Sequence, residues 1–388
     1  MKVFYIAGFT GPEFVKKYCG GIEKHTAATQ KIKTISHALL LKGYDVTIIS
    51  SGVTSNHSIN KSFTEYIVFP EGRVKVLYPL LVGYSGFGRF NFKQVIRILK
   101  KELKKSKRST ILAYNATIRS HWAFETGQNF SATNILELED LPYARVSVAN
   151  KRKNRKSEEI FNKVVGSASG IIYVSDHMKV PRHHNGITIH GILSEDILKK
   201  QYDVSNRKKN IFVITYTGGL DYSKGIDILI ESLKFIPDNC LLNIVGGGHL
   251  VSEIKELCKN NNKIRFHGFV ERNKMLDIMF DSDILVNPHR SDDNLKEMVF
   301  PFKMVEYAST GIPLVSSGMA RFRNQFDSHI TFYNDDSPQS LANSIISVTE
   351  HIDAYRLKAG ILKNMINEAY SLKGVSEKLH SFFKKTVY

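Results

Sequence analysis

The stretch Asp292–Ser317, DDNLKEMVFPFKMVEYASTGIPLVSS, constrains the fold more than any other part of the chain. Phe300 to Ala308 carries apolar residues at helical spacing, and Pro301 stands where a helix can begin without losing a hydrogen bond. Gly311 predicts the stop. Ile312-Pro313-Leu314-Val315-Ser316-Ser317 then forms a short β-branched run of the kind buried as a parallel strand. Glu306 sits among Met304, Val305, Tyr307 and Ala308, an unusual place for a carboxylate. It reads either as a solvated glutamate or as a group kept for a ligand.

The remaining sequence repeats this strand and helix grammar in two halves, which predicts an α/β fold of two doubly wound domains. In the first half, Lys2–Phe9 reads as a strand. A loop through Gly11-Pro12 to Cys19-Gly20-Gly21 leads into a helix from about Ile22 to Lys42, stopped by Gly43, and Tyr44–Ser50 is the second strand. Residues 63 to 90 are rich in aromatics and glycine and show no assignable period. From Phe92 the spacing of Phe92, Val95, Ile96, Leu99 and Leu103 predicts an amphipathic helix. Thr110–Tyr114 and Asn134–Leu138 read as strands, the latter running into Glu139-Asp140-Leu141-Pro142. A helix over Ser157–Val165 and a strand over Gly170–Ser175 follow. Residues 199–210, KKQYDVSNRKKN, are polar and aperiodic and read as the linker. The second half restarts with a strand at Ile211–Tyr216, and further strands follow at Leu241–Val245, Ile264–Phe266 and Asp283–Asn287. The predicted boundaries are 1–197, 198–370, and a C-terminal helix, 371–388, packing back on the first domain.

At 388 residues, 42% hydrophobic and 23% charged, the composition is that of a globular protein with a large interior. No apolar run approaches the roughly 20 residues that span a bilayer. Lys2–Gly8 reads as a strand and not as a secretory leader, so a cytoplasmic location is expected. The three cysteines, Cys19, Cys240 and Cys258, are too few and too scattered for a disulfide framework or a zinc site. The net charge of +17 calls for an anionic partner: nucleic acid, lipid headgroups or a phosphorylated substrate. Much of it is clustered. Lys93, Arg97, Lys100, Lys101, Lys104, Lys105, Lys107 and Arg108 occupy one helical segment, and Lys151, Arg152, Lys153, Arg155 and Lys156 form a second run. A basic amphipathic helix can lie on an anionic membrane.

The Asp292–Ser317 stretch resembles the signature of the retaining, family-four glycosyltransferases of GT-B fold, especially those that build bacterial surface polysaccharides. Four further segments resemble motifs of that family in order and spacing: Tyr216–Asp227, Leu241–Gly248, Ile264–Val270 and Asp283–Pro288. The opening GGIE…LLLKGYDVTIIS and the Gly186–Ile192 segment, with His190 where the family has asparagine, extend the likeness more loosely over the first half. The resemblance implies two Rossmann-like domains facing across a cleft, with the acceptor on the first and a nucleotide-diphosphate sugar, UDP- or GDP-linked, on the second. It implies donor contacts from Gly21, Gly218, Gly219, Lys224, Gly247, Val270, Met298, Val299, Phe300, Lys303 and Glu306, with Glu306 taking the ribose hydroxyls. Lys224, seconded by Lys303, would meet the charge left on the diphosphate, where cations and N–H donors are needed. Glu139 and Asp140 stand where many family members have a histidine, and would orient the donor sugar or the acceptor hydroxyl. No metal and no further cofactor is implied. The acceptor would be a saccharide or a lipid-linked saccharide, met at the inner face of the plasma membrane. Lys93, Arg97, Lys100, Lys101, Lys104 and Lys105 would then face an anionic membrane surface.

Other readings remain open at this stage. Asp281-Ser282-Asp283 matches the Asp-x-Asp pattern that holds a divalent ion in another transferase fold, although its place before ILVNP suits a cap or turn residue better. His121, His289 and Arg290 are site candidates by pattern alone. A basic protein that grips nucleic acid is the rival class, but the aromatics are not interleaved with the basic runs as stacking platforms require, so no nucleic-acid partner is expected. A sugar-nucleotide epimerase of the same fold would need a nucleotide and no acceptor.

Overall fold

The computed structural model describes residues 1–19, 27–50, 59, 61–82, 87–141, 151–175, 178, 180, 185–203, 211–290, 302–318 and 326–387, with the backbone alone at 27 and 151–154. Gly21, Met298, Val299, Phe300 and Pro301 lie outside the described residues. The chain divides into two compact units: Met1–Ile192 with Leu372–Tyr388, and Leu193–Ser371.

The first unit contains β1 (Lys2–Ala7), α1 (Pro12–Tyr18), α2 (Ala27–Leu41), β2 (Asp45–Ser50), β3 (Phe63–Phe69), β4 (Gly72–Tyr78), α3 (Gly88–Leu103), β5 (Ser109–Tyr114), α4 (Ile118–Gln128), β6 (Thr133–Leu138), α5 (Lys151–Gly166), β7 (Gly170–Tyr173) and β8 (Gly186–Thr188). Its sheet runs β3-β4-β2-β1-β5-β6-β7-β8, parallel except for the β3/β4 hairpin. The central strands are buried on both faces, as strands covered by crossover helices must be.

The second unit contains α6 (Glu195–Leu198), β9 (Phe212–Thr217), α7 (Ile226–Ser232), β10 (Cys240–Val245), α8 (Val251–Asn260), β11 (Ile264–Gly268), α9 (Arg272–Phe280), β12 (Ile284–Asn287), α10 (Phe302–Thr310), β13 (Leu314–Ser317), β14 (Thr331–Tyr333), α11 (Pro338–Glu350) and α12 (Ile352–Tyr370). Its sheet is wholly parallel in the order β11-β10-β9-β12-β13-β14. A last helix, α13 (Leu372–Val387), packs on α2 in the first unit, burying Val375, Leu379, Phe382 and Phe383.

Three elements differ from the sequence reading. The expected loop after β1 contains α1, which starts at Pro12 and buries Phe14 and Val15. The Glu65 carboxylate accepts the Glu13 N–H at 2.9 Å, so a strand residue supplies the cap that the helix lacks locally. The unassigned 63–90 stretch holds the hairpin, where Glu65 takes an inward position and breaks the apolar alternation. Helix α4 has little periodicity of its own. It is placed by a Thr117 hydroxyl cap on Ser120 N–H and by Ala123 and Phe124 in the core. The described part of the second helix begins at Ala27, and the basic run 151–156 lies inside α5.

Candidate functional site

In the second sheet the strand order turns back between β9 and β12, and the carboxyl ends flanking such a reversal form the crevice where doubly wound sheets bind ligands. The residues there come from three segments. At the end of β9, Gly218 takes φ +144°, and any Cβ at this position would collide with the Lys303 ammonium. The neighbouring turn after β10 packs so closely that a Cβ at Gly246 would meet the Gly218 carbonyl. The 3-10 turn Tyr222–Lys224 follows and is closed by Gly225 at φ +68°, where the Pro288 carbonyl fills the space a Cβ would take. That contact joins the turn to the end of β12. Arg290 reinforces it by donating to the Tyr222 carbonyl at 3.0 Å and pairing with Asp227.

Two lysines face this crevice. Lys224 Nζ donates to His289 Nε2 at 3.1 Å, and His289 Nδ1 faces its neighbour's carbonyl at 3.0 Å. That carbonyl can only accept, so the network assigns a neutral imidazole with its proton on Nδ1. Burial and then the charge of Lys224 hold the His289 pKa below its ordinary value, in keeping with that form. Lys303, in the first turn of α10, lies over the Tyr216 ring with Nζ 4.4 Å from its centroid. Tyr216 in turn donates to the Gly219 carbonyl at 2.6 Å. Burial, aided by the like charge of Lys224 and opposed by Glu306, pulls the Lys303 pKa down to about 7. Two cations held together with so little compensating charge form a site for an anion.

Helix α10 is fixed beneath the end of β9 by Tyr307, whose hydroxyl accepts the Thr217 N–H at 2.8 Å and donates to the Thr217 carbonyl at 3.2 Å. Glu306, one residue earlier, does not stand alone. Arg272 of α9 donates to its Oε1 at 3.0 Å and binds Ser194 at 2.7 Å and Asp196 as well. Arg272, Asp196, Tyr216 and Tyr307 escaped the sequence reading. Their partners are distant in sequence, and arginine or tyrosine alone carries no positional signal.

The other expected donor residues are more scattered. Gly247 lies in the turn after β10, exposed and with open space where a Cβ would stand, and its carbonyl accepts the Leu220 N–H at 3.0 Å. Val270 lies just past the end of β11, the outermost strand. Asp283 is at the opposite, amino end of β12, buried, with its carboxylate accepting from Val213 N and Arg356 Nη2 at 3.0 Å each. Asp281 is exposed at the end of α9. Among the described residues no group of three or more His, Cys, Asp or Glu side chains is arranged to hold a metal ion.

In the first unit, Glu139 and Asp140 follow the carboxyl end of β6. Asn115, at φ +61°, accepts their two N–H groups at 2.8 and 2.9 Å and fixes the loop. Glu139 is ion-paired with Lys31 of α2. Beneath it lies Glu137, fully buried, hydrogen-bonded to the Tyr5 hydroxyl and 4.0 Å from the same lysine. Burial, then the charge of Glu139, raises the Glu137 pKa. His121 faces Glu125 one turn on, at 3.5 Å, on α4. Lys93, Arg97, Lys100, Lys101 and Lys104 share one stripe of α3, and Lys105 pairs with Glu102.

Residues 211–351 match the family described as Glycosyl transferases group 1. Two curated relatives are each 24% identical. One is the gpi3 subunit of phosphatidylinositol N-acetylglucosaminyltransferase from Schizosaccharomyces pombe, matched over 47% of this chain and 40% of its own length. The other is an uncharacterized glycosyltransferase of Methanocaldococcus jannaschii, matched over 54% and 53%. The chain thus spans about half or less of the curated relatives it matches. Among solved structures, sucrose-phosphate synthase from Thermosynechococcus elongatus superposes with a TM-score of 0.69 at 12% identity, covering 99% of this chain and 98% of that one. HepE of Anabaena, solved in complex with UDP, gives 0.67 at 14%, covering 99% and 100%. WaaG, a glycosyltransferase of lipopolysaccharide biosynthesis, gives 0.64 at 13%, covering 97% and 98%. The protein therefore has the α/β, Rossmann-like GT-B fold over its whole length, and residues 211–351 form a glycosyl transferases group 1 domain.

Proposed function

We propose that this protein is a glycosyltransferase that moves a sugar from a nucleotide-diphosphate sugar to a saccharide or lipid-linked acceptor in surface polysaccharide synthesis, with retention at the transferred carbon. The observation that carries the reading is the pair of lysines, Lys224 and Lys303, set between the ends of β9 and β12 with Glu306 on the same helix as Lys303. Transfer leaves charge on the diphosphate, and cations already in place meet it with no reorganisation. His289, neutral and bonded to Lys224, orients that ammonium. Glu306, oriented by Arg272, offers a carboxylate to two vicinal hydroxyls, the chemistry a ribose presents. Glu139 and Asp140 would orient the acceptor or the donor sugar. Retention and the polysaccharide role rest on the motif resemblance. The complex of HepE with UDP makes UDP the first nucleotide to try. An enzyme with such an acceptor works at the inner face of the plasma membrane, and among the described residues no helix is long and apolar enough to cross a membrane. Attachment would then be peripheral, to an anionic surface, without nucleic acid.

The experiment is calorimetric titration with UDP, GDP and ADP, followed by a screen of the matching nucleotide-sugars for transfer to lipid extracts. Binding of one nucleoside diphosphate, lost in Lys224→Ala, supports the reading. If no nucleotide binds, or binding is indifferent to Lys224, the donor-site assignment fails.

A further inference from the structure

A groove of about 710 Å³ lies between α3 and α4, walled on one side by Lys93, Arg97, Lys100, Lys101 and Lys104 and on the other by Trp122, Glu125 and Asn129. Both walls follow from helix periodicity. The five cations fall at steps of four, three, one and three along one stripe of α3, opposite the buried Phe92, Val95, Leu99 and Leu103. Trp122, Glu125 and Asn129 fall on one stripe of α4. Among the described residues none of the five cations has a carboxylate partner within 4.0 Å. The one acidic side chain in the groove, Glu125, faces His121. Five like charges on three turns repel one another, and among the described residues lining the groove Glu125 alone carries the opposite charge.

The two stripes share a second feature. Followed one turn toward the helix starts, the α3 stripe reaches Phe90 and the α4 stripe reaches Ile118, and both are exposed, as is Phe87 beside them. A basic groove that ends in exposed apolar side chains matches an amphiphile with a charged head and an apolar body. Free phosphate has no use for the apolar end. Nucleic acid would need ring faces along the backbone track, and Trp122, the single tryptophan of the chain, already stands edge-on to Phe92 with ring centroids 5.4 Å apart.

We propose that the groove between α3 and α4 holds the phosphate-bearing headgroup of an anionic lipid, with Phe87, Phe90 and Ile118 entering the bilayer interface. This gives a place to the membrane attachment proposed above and rests on that part of the reading. It needs neither donor nor transfer to be tested. Because Trp122 is the sole tryptophan, its emission reports the groove directly.

The full chain is titrated with phosphatidylglycerol vesicles, phosphatidylcholine vesicles, inorganic pyrophosphate and an oligonucleotide, reading Trp122 emission and co-sedimentation. The expected result is a shift and sedimentation with phosphatidylglycerol alone, weakening as salt rises. Combined Lys100→Gln, Lys101→Gln and Lys104→Gln should weaken it about 100-fold. A control removing the same charge from the other unit, Lys234→Gln, Lys255→Gln and Lys274→Gln, should leave it within about threefold. Circular dichroism and the urea midpoint should be unchanged in both, which certifies their folding without any nucleotide. Equal losses in the two triple variants would show diffuse charge and overturn the site. A Trp122 response to pyrophosphate or an oligonucleotide without vesicle binding would overturn the lipid as occupant.

Discussion

Arg272 Nη2 lies 3.0 Å from Glu306 Oε1, so the carboxylate assigned to the ribose is already held by an arginine that also binds Asp196 and Ser194. The bond takes only one oxygen of Glu306, and among the described residues the other accepts no hydrogen bond, which leaves it to a ligand. The two residues should therefore fail differently. Glu306→Gln keeps the shape and is expected to weaken UDP binding or turnover about tenfold with little change in urea midpoint. Arg272→Gln leaves Asp196 and Glu306 facing each other and should lower unfolding stability by about 1–3 kcal/mol. Urea melts and nucleotide titrations of both variants separate the roles. Equal stability losses would make Glu306 a structural residue only.

The Lys303 pKa near 7 makes anion binding proton-linked. Below that pH the ammonium is already charged. Above it, a bound diphosphate restores the charge by drawing in a proton, so affinity for a UDP-sugar, whose own diphosphate does not titrate, should fall by up to tenfold per unit between about pH 7 and 9. Lys303→Met should bind more weakly and show a flat profile. The free protein carries the opposite sign. From about 7 to the ordinary lysine value of 10.5, the unfolded chain holds a proton that the folded one has lost, so stability rises with pH across that window. A wild-type affinity independent of pH over this range would remove Lys303 from the anion site.

The strands, and with them the two-unit α/β plan, were legible because β-branched runs bounded by glycine repeat along the chain. The turn after β9 was legible too, from Gly218 and Gly219 just past the strand and Gly225 before the next helix. What could not be read is what long-range packing decides. Glu65 was hidden because its value lies in capping a helix more than 50 residues earlier. Glu137 looks like one more outward strand residue in TNILEL, yet it is buried on Tyr5 and shares Lys31 with Glu139. Helix α4 has few apolar residues to announce it, and Arg272 is tied to Glu306 only through the fold.

Gly225 carries two constraints at one position, φ +68° and the Pro288 carbonyl in the space a Cβ would take. Gly225→Ala should cost about 1–3 kcal/mol in backbone strain and, by parting the 3-10 turn from the end of β12, displace Lys224 from His289. Lower stability together with at least tenfold weaker nucleotide binding is expected. Gly247→Ala, where a Cβ meets nothing within 4 Å, should melt like the wild type and so isolates the strain effect. Calorimetry on the two alanine variants decides. A Gly225→Ala protein as stable as the wild type would mean that this turn is not held as described.

The Asp281-Ser282-Asp283 pattern gives the last test, because its metal and structural readings predict opposite results. Asp283 sits at the amino end of β12 while His289 and Arg290 follow the carboxyl end, about 13 Å away at about 3.3 Å per strand residue. Its two oxygens are occupied by Val213 N–H and Arg356, whereas Asp281 is exposed. Removing this carboxylate leaves the buried Val213 N–H unsatisfied and takes from Arg356 one of its two carboxylates, the other being Asp353, so Asp283→Ala should lower stability by about 1.5–3 kcal/mol and leave nucleotide affinity of the folded protein unchanged. Transfer should survive excess EDTA, since Lys224 and Lys303 meet the diphosphate charge. Activity that vanishes on chelation and returns with manganese, together with an Asp283→Ala protein that folds normally but no longer binds nucleotide, would reverse the assignment and make the pattern a metal site.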